Sequence, residues 1–193
     1  GTHDITMQIQ GVDTIDDNEL LNLAKQGKQS AMKAIYDRYV RYMSAIVARY
    51  IMTENDRKDV LQECFIKIFS SIHDFVPQHK EALKSWISRI VVNESLRFLK
   101  TTAKLNIIEY EDALPDVVDE PEIENIPDDV INELILSLPT GYRMVFNLFV
   151  FENKSHKEIA TMLNIKESTS ASQYFRAKAL LAKRLREYKI HNN

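Results

Sequence analysis

The chain has 193 residues, 45% of them hydrophobic and 27% charged, and a formal net charge of −3. That length suits one large or two small packed domains, and only four Gly and five Pro weigh against an all-β fold with many tight turns. The single cysteine, Cys64, excludes an internal disulfide framework and fits a reducing compartment, while no apolar run approaches the roughly 20 residues of a membrane span.

No signal-peptide pattern opens the chain, so the expected location is the cytoplasm, without membrane insertion. A short helix is expected near Asp17–Gln26, ahead of Gly27. Met32, Ile35, Tyr36, Tyr39, Met43, Ile46, Val47 and Tyr50 then recur every three or four residues, which predicts a long amphipathic helix. A second stripe follows in Val60, Leu61, Cys64, Phe65, Ile68 and Ile72. Thr53, with Glu54 and Asp56 behind it, supplies its helix start. A third helix runs from about Glu81 to Thr101, with Leu83, Ile87, Ile90 and Val91 inward.

The third helix also carries a polar row. Arg89, Asn93, Arg97 and Lys100 follow at spacings of four, four and three, so they share one side. Asn93 is a poor helix former in mid-helix, which points to a polar task. Lys84, Ser85 and Trp86 lie near the start, after the loop "HDFVPQHKEALK". An aromatic beside cations can stack an unpaired base; the pattern fits Trp86 as a core anchor equally well.

Charge is unevenly placed. Residues 1–103 carry 14 Lys/Arg against 13 Asp/Glu, residues 104–133 one Lys against 11 acids, and residues 139–193 ten bases against four acids. The acidic middle, "NIIEYEDALPDVVDEPEIENIPDD", holds three prolines. Proline removes a donor and like charges repel, so a flexible linker is expected. It is either a solvated spacer or an acidic strip that occupies a cationic surface.

Beyond it, Asp129–Leu138 reads as a short helix closed by Pro139. Pro139 then fits the first turn of a helix through Tyr142, Val145, Phe146 and Phe149. Ser155 and Glu158 have capping-box spacing, with Ile159, Met162 and Leu163 as the buried face and Asn164 at a left-handed turn. The last helix buries Tyr174, Ala177, Leu181, Leu185 and Tyr188, with Thr169, Ser172, Gln173 and Arg176 on the opposite side. Two capped helices around a tight turn outline either a helix-turn-helix or an ordinary helical hairpin. Short hydroxyls and an amide can approach base edges, and Arg176 can pair with phosphate or guanine. The expected fold is all-α: two small helical domains, residues 1–103 and 129–193, joined by an acidic linker at 104–128, the C-terminal one a helix-turn-helix.

Together the two halves resemble a sigma-70-type RNA polymerase sigma factor of the extracytoplasmic-function (ECF) group, over about Asp17 to Glu187. "DRKDVLQECFIKIF" resembles the family's polymerase-binding segment, and "LKSWISRIVVNESLRFLK" its helix that opens and reads the −10 element. "LPTGYRMVFNLFVFENKSHKEIATMLNIKESTSASQYFRAKALLAKRL" resembles its −35-reading domain. The resemblance implies that Asp56, Asp59, Gln62 and Glu63 dock on core RNA polymerase. It implies that the loop from His73 to Lys84 captures a flipped non-template base, with Lys84, Ser85, Trp86, Arg89, Asn93 and Arg97 beside it. It places Thr169, Ala171, Ser172, Gln173 and Arg176 at the −35 groove of promoter DNA. An anti-sigma factor is a common partner in this family, and the free chain is expected to be a monomer. Departures from the usual pattern are Ala171 and Gln173 where Lys or Arg is frequent, Ser170 for Val, and Asn164 for Gly.

Two other classes compete with this reading. An independent repressor or activator would need tight operator binding without polymerase, commonly as a dimer. An enzyme would use Glu109–Glu124 as metal ligands or acid–base groups. Yet the sequence has no fixed ligand spacing, glycine-rich phosphate loop or nucleophile–His pattern, so no catalytic residue, metal or cofactor is expected. Cys64 with His73 and His79 suggests zinc only superficially, because Cys64 falls on an apolar stripe as a buried thiol.

Overall fold

The computed structural model describes residues 15–102 and 121–192, and every regular element among them is a helix. Among the described residues two compact units form: residues up to 48 with 53–97, and 49–52 with 98 onward. The expected linker residues 104–120, with most of their acids, lie outside the described residues.

The first unit is built from α1 (Asp17–Lys25), α2 (Gln29–Tyr50), α3 (Glu54–Ser71) and α4 (Ala82–Thr102), except for the last residues of α2 and α4, which fall in the second unit. The Asp16 side chain caps α1 by accepting the Glu19 N–H at 2.8 Å. Gly27 follows at φ +80°, a left-handed backbone that glycine adopts without a Cβ penalty. Thr53 caps α3 as expected, accepting the Asp56 N–H at 3.3 Å. The predicted stripes meet in one core of Ile35, Met43, Ile46, Val47, Val60, Cys64, Ile68, Ile72, Leu83, Ile87 and Val91, all buried. Each such side chain contributes on the order of 1.5–3 kcal/mol relative to exposure. Leu61, Phe65 and Ile90 are only half-buried, since a helix has room on its inward arc for fewer positions than the apolar residues supplied.

Polar contacts fix the register of these helices. Arg38 Nη1 lies 2.9 Å from Asp17 Oδ1, Tyr39 donates its hydroxyl to the same carboxylate, and Arg38 Nη2 donates to the Ile15 carbonyl at 2.8 Å. Lys67 on α3 pairs with buried Glu94 on α4. Burial, with Glu94 nearby, pushes the Cys64 thiol up to about 12, so it stays protonated and inert.

The second unit contains α5 (Asp128–Leu136), α6 (Thr140–Val150), α7 (His156–Leu163) and α8 (Glu167–His191). Its core gathers Ile135, Leu138, Phe146, Ala177, Leu181 and Leu185, flanked by Ile131, Tyr142 and Tyr174. The α5–α6 junction differs from expectation by one or two residues. α5 stops at Leu136, and Pro139 is the N-cap of α6 rather than part of its first turn. Extended backbone at Pro139 (φ −50°, ψ 146°) leaves its carbonyl to accept the Arg143 N–H at 2.9 Å, a role that needs no N–H of its own. The buried Arg143 turns back on this junction. Its Nη1 donates to the carbonyls of Leu136 at 2.6 Å and Leu138 at 3.3 Å. Arg184 donates to the Ser137 carbonyl at 2.7 Å.

The turn between α7 and α8 follows its local code. Ser155 Oγ accepts the Glu158 N–H at 3.1 Å, and Glu158 Oε1 accepts the Ser155 N–H at 3.2 Å. Asn164 closes α7 in the left-handed region, at φ 54° and ψ 51°. α6 and α7 both pack on α8.

Candidate nucleic-acid interface

Three surfaces hold the residues singled out in the sequence. On α3, Asp59, Gln62 and Glu63 are exposed and Asp56 is half-buried. Spacings of three and four put all four on one face, away from the buried line Val60, Cys64, Ile68. Ile66, seven residues after Asp59, belongs to the same face and is 54% exposed. Beside it, Tyr36 of α2 is also exposed and packs its ring 4.5 Å from that of Phe65. The face is thus acidic, with an exposed apolar residue at its C-terminal end. The sequence pattern signalled Ile66 only by its absence from the inward stripe.

The second surface is the loop after α3 and the polar side of α4. Arg89, Asn93 and Arg97 are exposed in one row with Trp86 at its head. Trp86 is half-buried: its ring stacks on Phe75 of the preceding loop, centroids 4.5 Å apart and planes at 15°. One face of the ring is therefore packed by protein, as the anchor reading expects. Ser85 is exposed at the edge of this row. Lys84 diverges from it, five residues before Arg89 and so on another side of the helix; its Nζ sits 4.8 Å from the centre of the Tyr42 ring. His73 and His79 are exposed while Cys64 is buried, so the three do not form a common site. Among the described residues, no group of three His, Cys, Asp or Glu could hold a metal ion.

The third surface is the start of α8. Ala171 is exposed, and Ser172 and Arg176 are half-exposed. Thr169 and Gln173 are instead buried, at 6% and 3% exposure. The reason is periodic: Thr169, Gln173, Ala177 and Leu181 recur every four residues and continue the inward stripe, which the apolar pattern alone had begun at Tyr174. Ser170 is wholly buried and lies 2.8 Å from His156 Nδ1. The His156 ring in turn stacks on Phe149 at 4.6 Å. A polar bond between the two helices of the motif thus stands where an apolar contact is usual. Lys166, Lys183 and Arg186 are exposed further cations along the helix flank.

Two family models match this chain. Sigma-70 region 2 matches residues 35–105, which include most of α2 and all of α3 and α4; Sigma-70 region 4 matches residues 128–181 in the second unit. The chain belongs to the sigma-70 family, and it directs RNA polymerase to promoters in transcription initiation. Its relatives place it with the ECF group. It is 28% identical over 186 residues to the ECF RNA polymerase sigma-E factor of Haemophilus influenzae, covering 89% of this chain and 96% of that one. It is 25% identical over 183 residues to the RNA polymerase sigma-H factor of Pseudomonas aeruginosa, covering 88% and 93%. Among solved structures, CnrH in complex with the cytosolic domain of CnrY shares the fold, with a TM-score of 0.51 at 22% identity over 89% of this chain and 97% of that one. Among the described residues no helix is long and apolar enough to cross a membrane.

Proposed function

We propose that the three surfaces divide the work of initiation. Asp56, Asp59, Gln62 and Glu63, with Ile66 one turn beyond them, dock on core polymerase. Trp86, Arg89, Asn93 and Arg97 hold the unpaired −10 strand, with Ser85 at the edge and Lys84 reaching the backbone from its seat on Tyr42. Ala171, Ser172 and Arg176 approach the −35 groove, while Thr169 and Gln173 set the recognition helix from beneath. The carrying observation is the exposed Arg89–Asn93–Arg97 row headed by a tryptophan with one face already packed on Phe75. A base that stacks there meets a platform whose conformational entropy has been lost in advance.

The acidic balance of the chain fits this reading. A protein that held DNA unaided would need many cationic contacts to phosphate. Here polymerase supplies much of the attraction, and two modest DNA surfaces act together through effective concentration. The protein works in the cytoplasm, as a monomer when free, and does no catalysis of its own. A cytosolic domain occupies the related CnrH, which supports an anti-sigma factor as a further partner of this chain.

Replacing Trp86 or Asn93 by alanine tests the assignment. Stopped-flow measurement of open-complex formation is expected to show about tenfold slowing, the scale of one lost base stack, with core affinity unchanged. Unaltered opening rates would remove the −10 assignment.

A further inference from the structure

The promoter-facing loop is tied down by a helix to which no role has yet been given. Lys25, in the last turn of α1, donates from Nζ to the main-chain carbonyl of Phe75, fifty residues away. Phe75 is the residue whose ring stacks on Trp86. The loop is also pinned from its own side, where the Phe75 N–H donates to the Ile72 carbonyl at 3.3 Å and the Asp74 N–H to the Ser71 carbonyl at 3.1 Å. α1 is itself anchored, because Asp17 at its start receives Arg38 at 2.9 Å and the Tyr39 hydroxyl from α2. A continuous line therefore runs from α2 through Asp17 and α1 to Lys25, Phe75 and Trp86. Immediately after Phe75, Val76 is 64% exposed, so the fixed part of the loop ends where the exposed part begins.

A half-buried ammonium in a hydrogen bond to a loop carbonyl does two things. It satisfies an acceptor that a loop would otherwise turn to water, and a charge-assisted bond of this kind is about twice as strong as a neutral one. The position is favourable as well, since a cation in the last turn of a helix opposes the negative end of its dipole. We infer that Lys25 is a positioning residue for promoter opening: it holds the Phe75 carbonyl and so keeps the Phe75–Trp86 stack set for the incoming base. The inference rests on the −10 reading of this loop and adds α1 to the machinery.

Trp86 is the sole tryptophan, so its fluorescence reports on the stack directly. Three chains separate the outcomes: wild type, Lys25→Met, which keeps the stem and loses the donors, and Lys25→Arg, which restores a donor. In the free protein, Lys25→Met is expected to raise acrylamide quenching of Trp86, and Lys25→Arg to return it toward wild type. In the holoenzyme, Lys25→Met slows open-complex formation by about tenfold, the effect of losing one charged hydrogen bond, with core affinity and salt slope unchanged. Should Lys25→Met not fold, Lys25→Ala, which also lacks a donor, carries the same comparison.

Quenching equal to wild type in Lys25→Met overturns the inference, as does a Lys25→Arg chain no better than Lys25→Met. A salt slope reduced by about one with quenching unaltered makes Lys25 a phosphate contact instead. If Lys25→Met alters quenching but neither it nor Trp86→Ala slows opening, the loop's −10 reading fails and the role of Lys25 in opening fails with it. Slowing by Trp86→Ala but not by Lys25→Met overturns the positioning role alone.

Discussion

Asp59→Lys is expected to lower the affinity for core polymerase by about 30-fold, the scale for reversing one charge within a complementary interface. Asp59 stands at the centre of the exposed α3 face with Gln62 and Glu63, and the buried line on the opposite side means that the substitution leaves the core untouched. Its effect belongs to docking alone. Fluorescence anisotropy of labelled polymerase against the variant reads it directly. At saturating protein the variant opens promoters at the wild-type rate, the reverse of Trp86→Ala. A variant that bound core normally but opened promoters slowly would place Asp59 on the wrong surface. Ile66→Ala provides a companion measurement, since it removes the exposed apolar residue at the end of that face without altering charge.

The second large effect concerns stability. Arg143→Ala is expected to destabilise the second unit by about 3 kcal/mol, because the buried carbonyls of Leu136 and Leu138 lose their donor and a cavity remains where the side chain lay. Burial lowers the Arg143 pKa from its ordinary value, a sign that the charge itself is held at some cost. Arg143→Met, which fills the space without the charge, is therefore expected to cost less than alanine. Urea unfolding followed by circular dichroism, with the transition of the second unit resolved, measures both. Equal losses in the two variants would show that the hydrogen bonds, rather than packing, carry the junction. Arg184 bonds Ser137 from an exposed position and does not replace Arg143, because it reaches a different carbonyl.

Features whose causes are local were legible in the sequence. Thr53, the Ser155–Glu158 pair and Asn164 all perform the capping and turn roles that their side chains dictate, since a cap depends on residues within one turn. The inward line of α3 was legible too, because Val60, Cys64, Ile68 and Ile72 repeat without interruption. Pro139 shifted by a position because both N-cap and first-turn sites accept a residue without an N–H. What escaped was polar burial. Nothing in hydrophobic periodicity marks Thr169, Ser170 and Gln173 as inward, because a buried hydroxyl or amide is recognised by its partner rather than its own type. Arg143 and Asn147, buried in the largely apolar α6, escaped for the same reason. Contacts at long range were also invisible. Lys25 and Phe75 are fifty residues apart, and only the packing of α1 against its neighbours brings them together.

Within the candidate site, the polar row on α4 was readable as a row, but not the support beneath it. The sequence left Trp86 open between core anchor and base platform. The stack on Phe75 shows that one ring face serves the first role, while the other role depends on what the second face receives. On α8 the exposed face is smaller than the residue types suggested, because two of the four polar positions, Thr169 and Gln173, turn inward. A recognition helix that presents Ala171, Ser172 and a single arginine, Arg176, offers few charged contacts. Holding DNA by that helix alone would be weak, and the proposed dependence on polymerase rests on this.

That dependence is tested most directly by a mobility shift on a promoter fragment chosen by run-off transcription from a genomic library. The purified chain alone should give no specific complex at micromolar concentration. Together with core polymerase it should give a specific, heparin-resistant complex and a transcript of defined length. A tight, sequence-specific complex formed by the chain alone, unchanged when polymerase is added, would contradict the account.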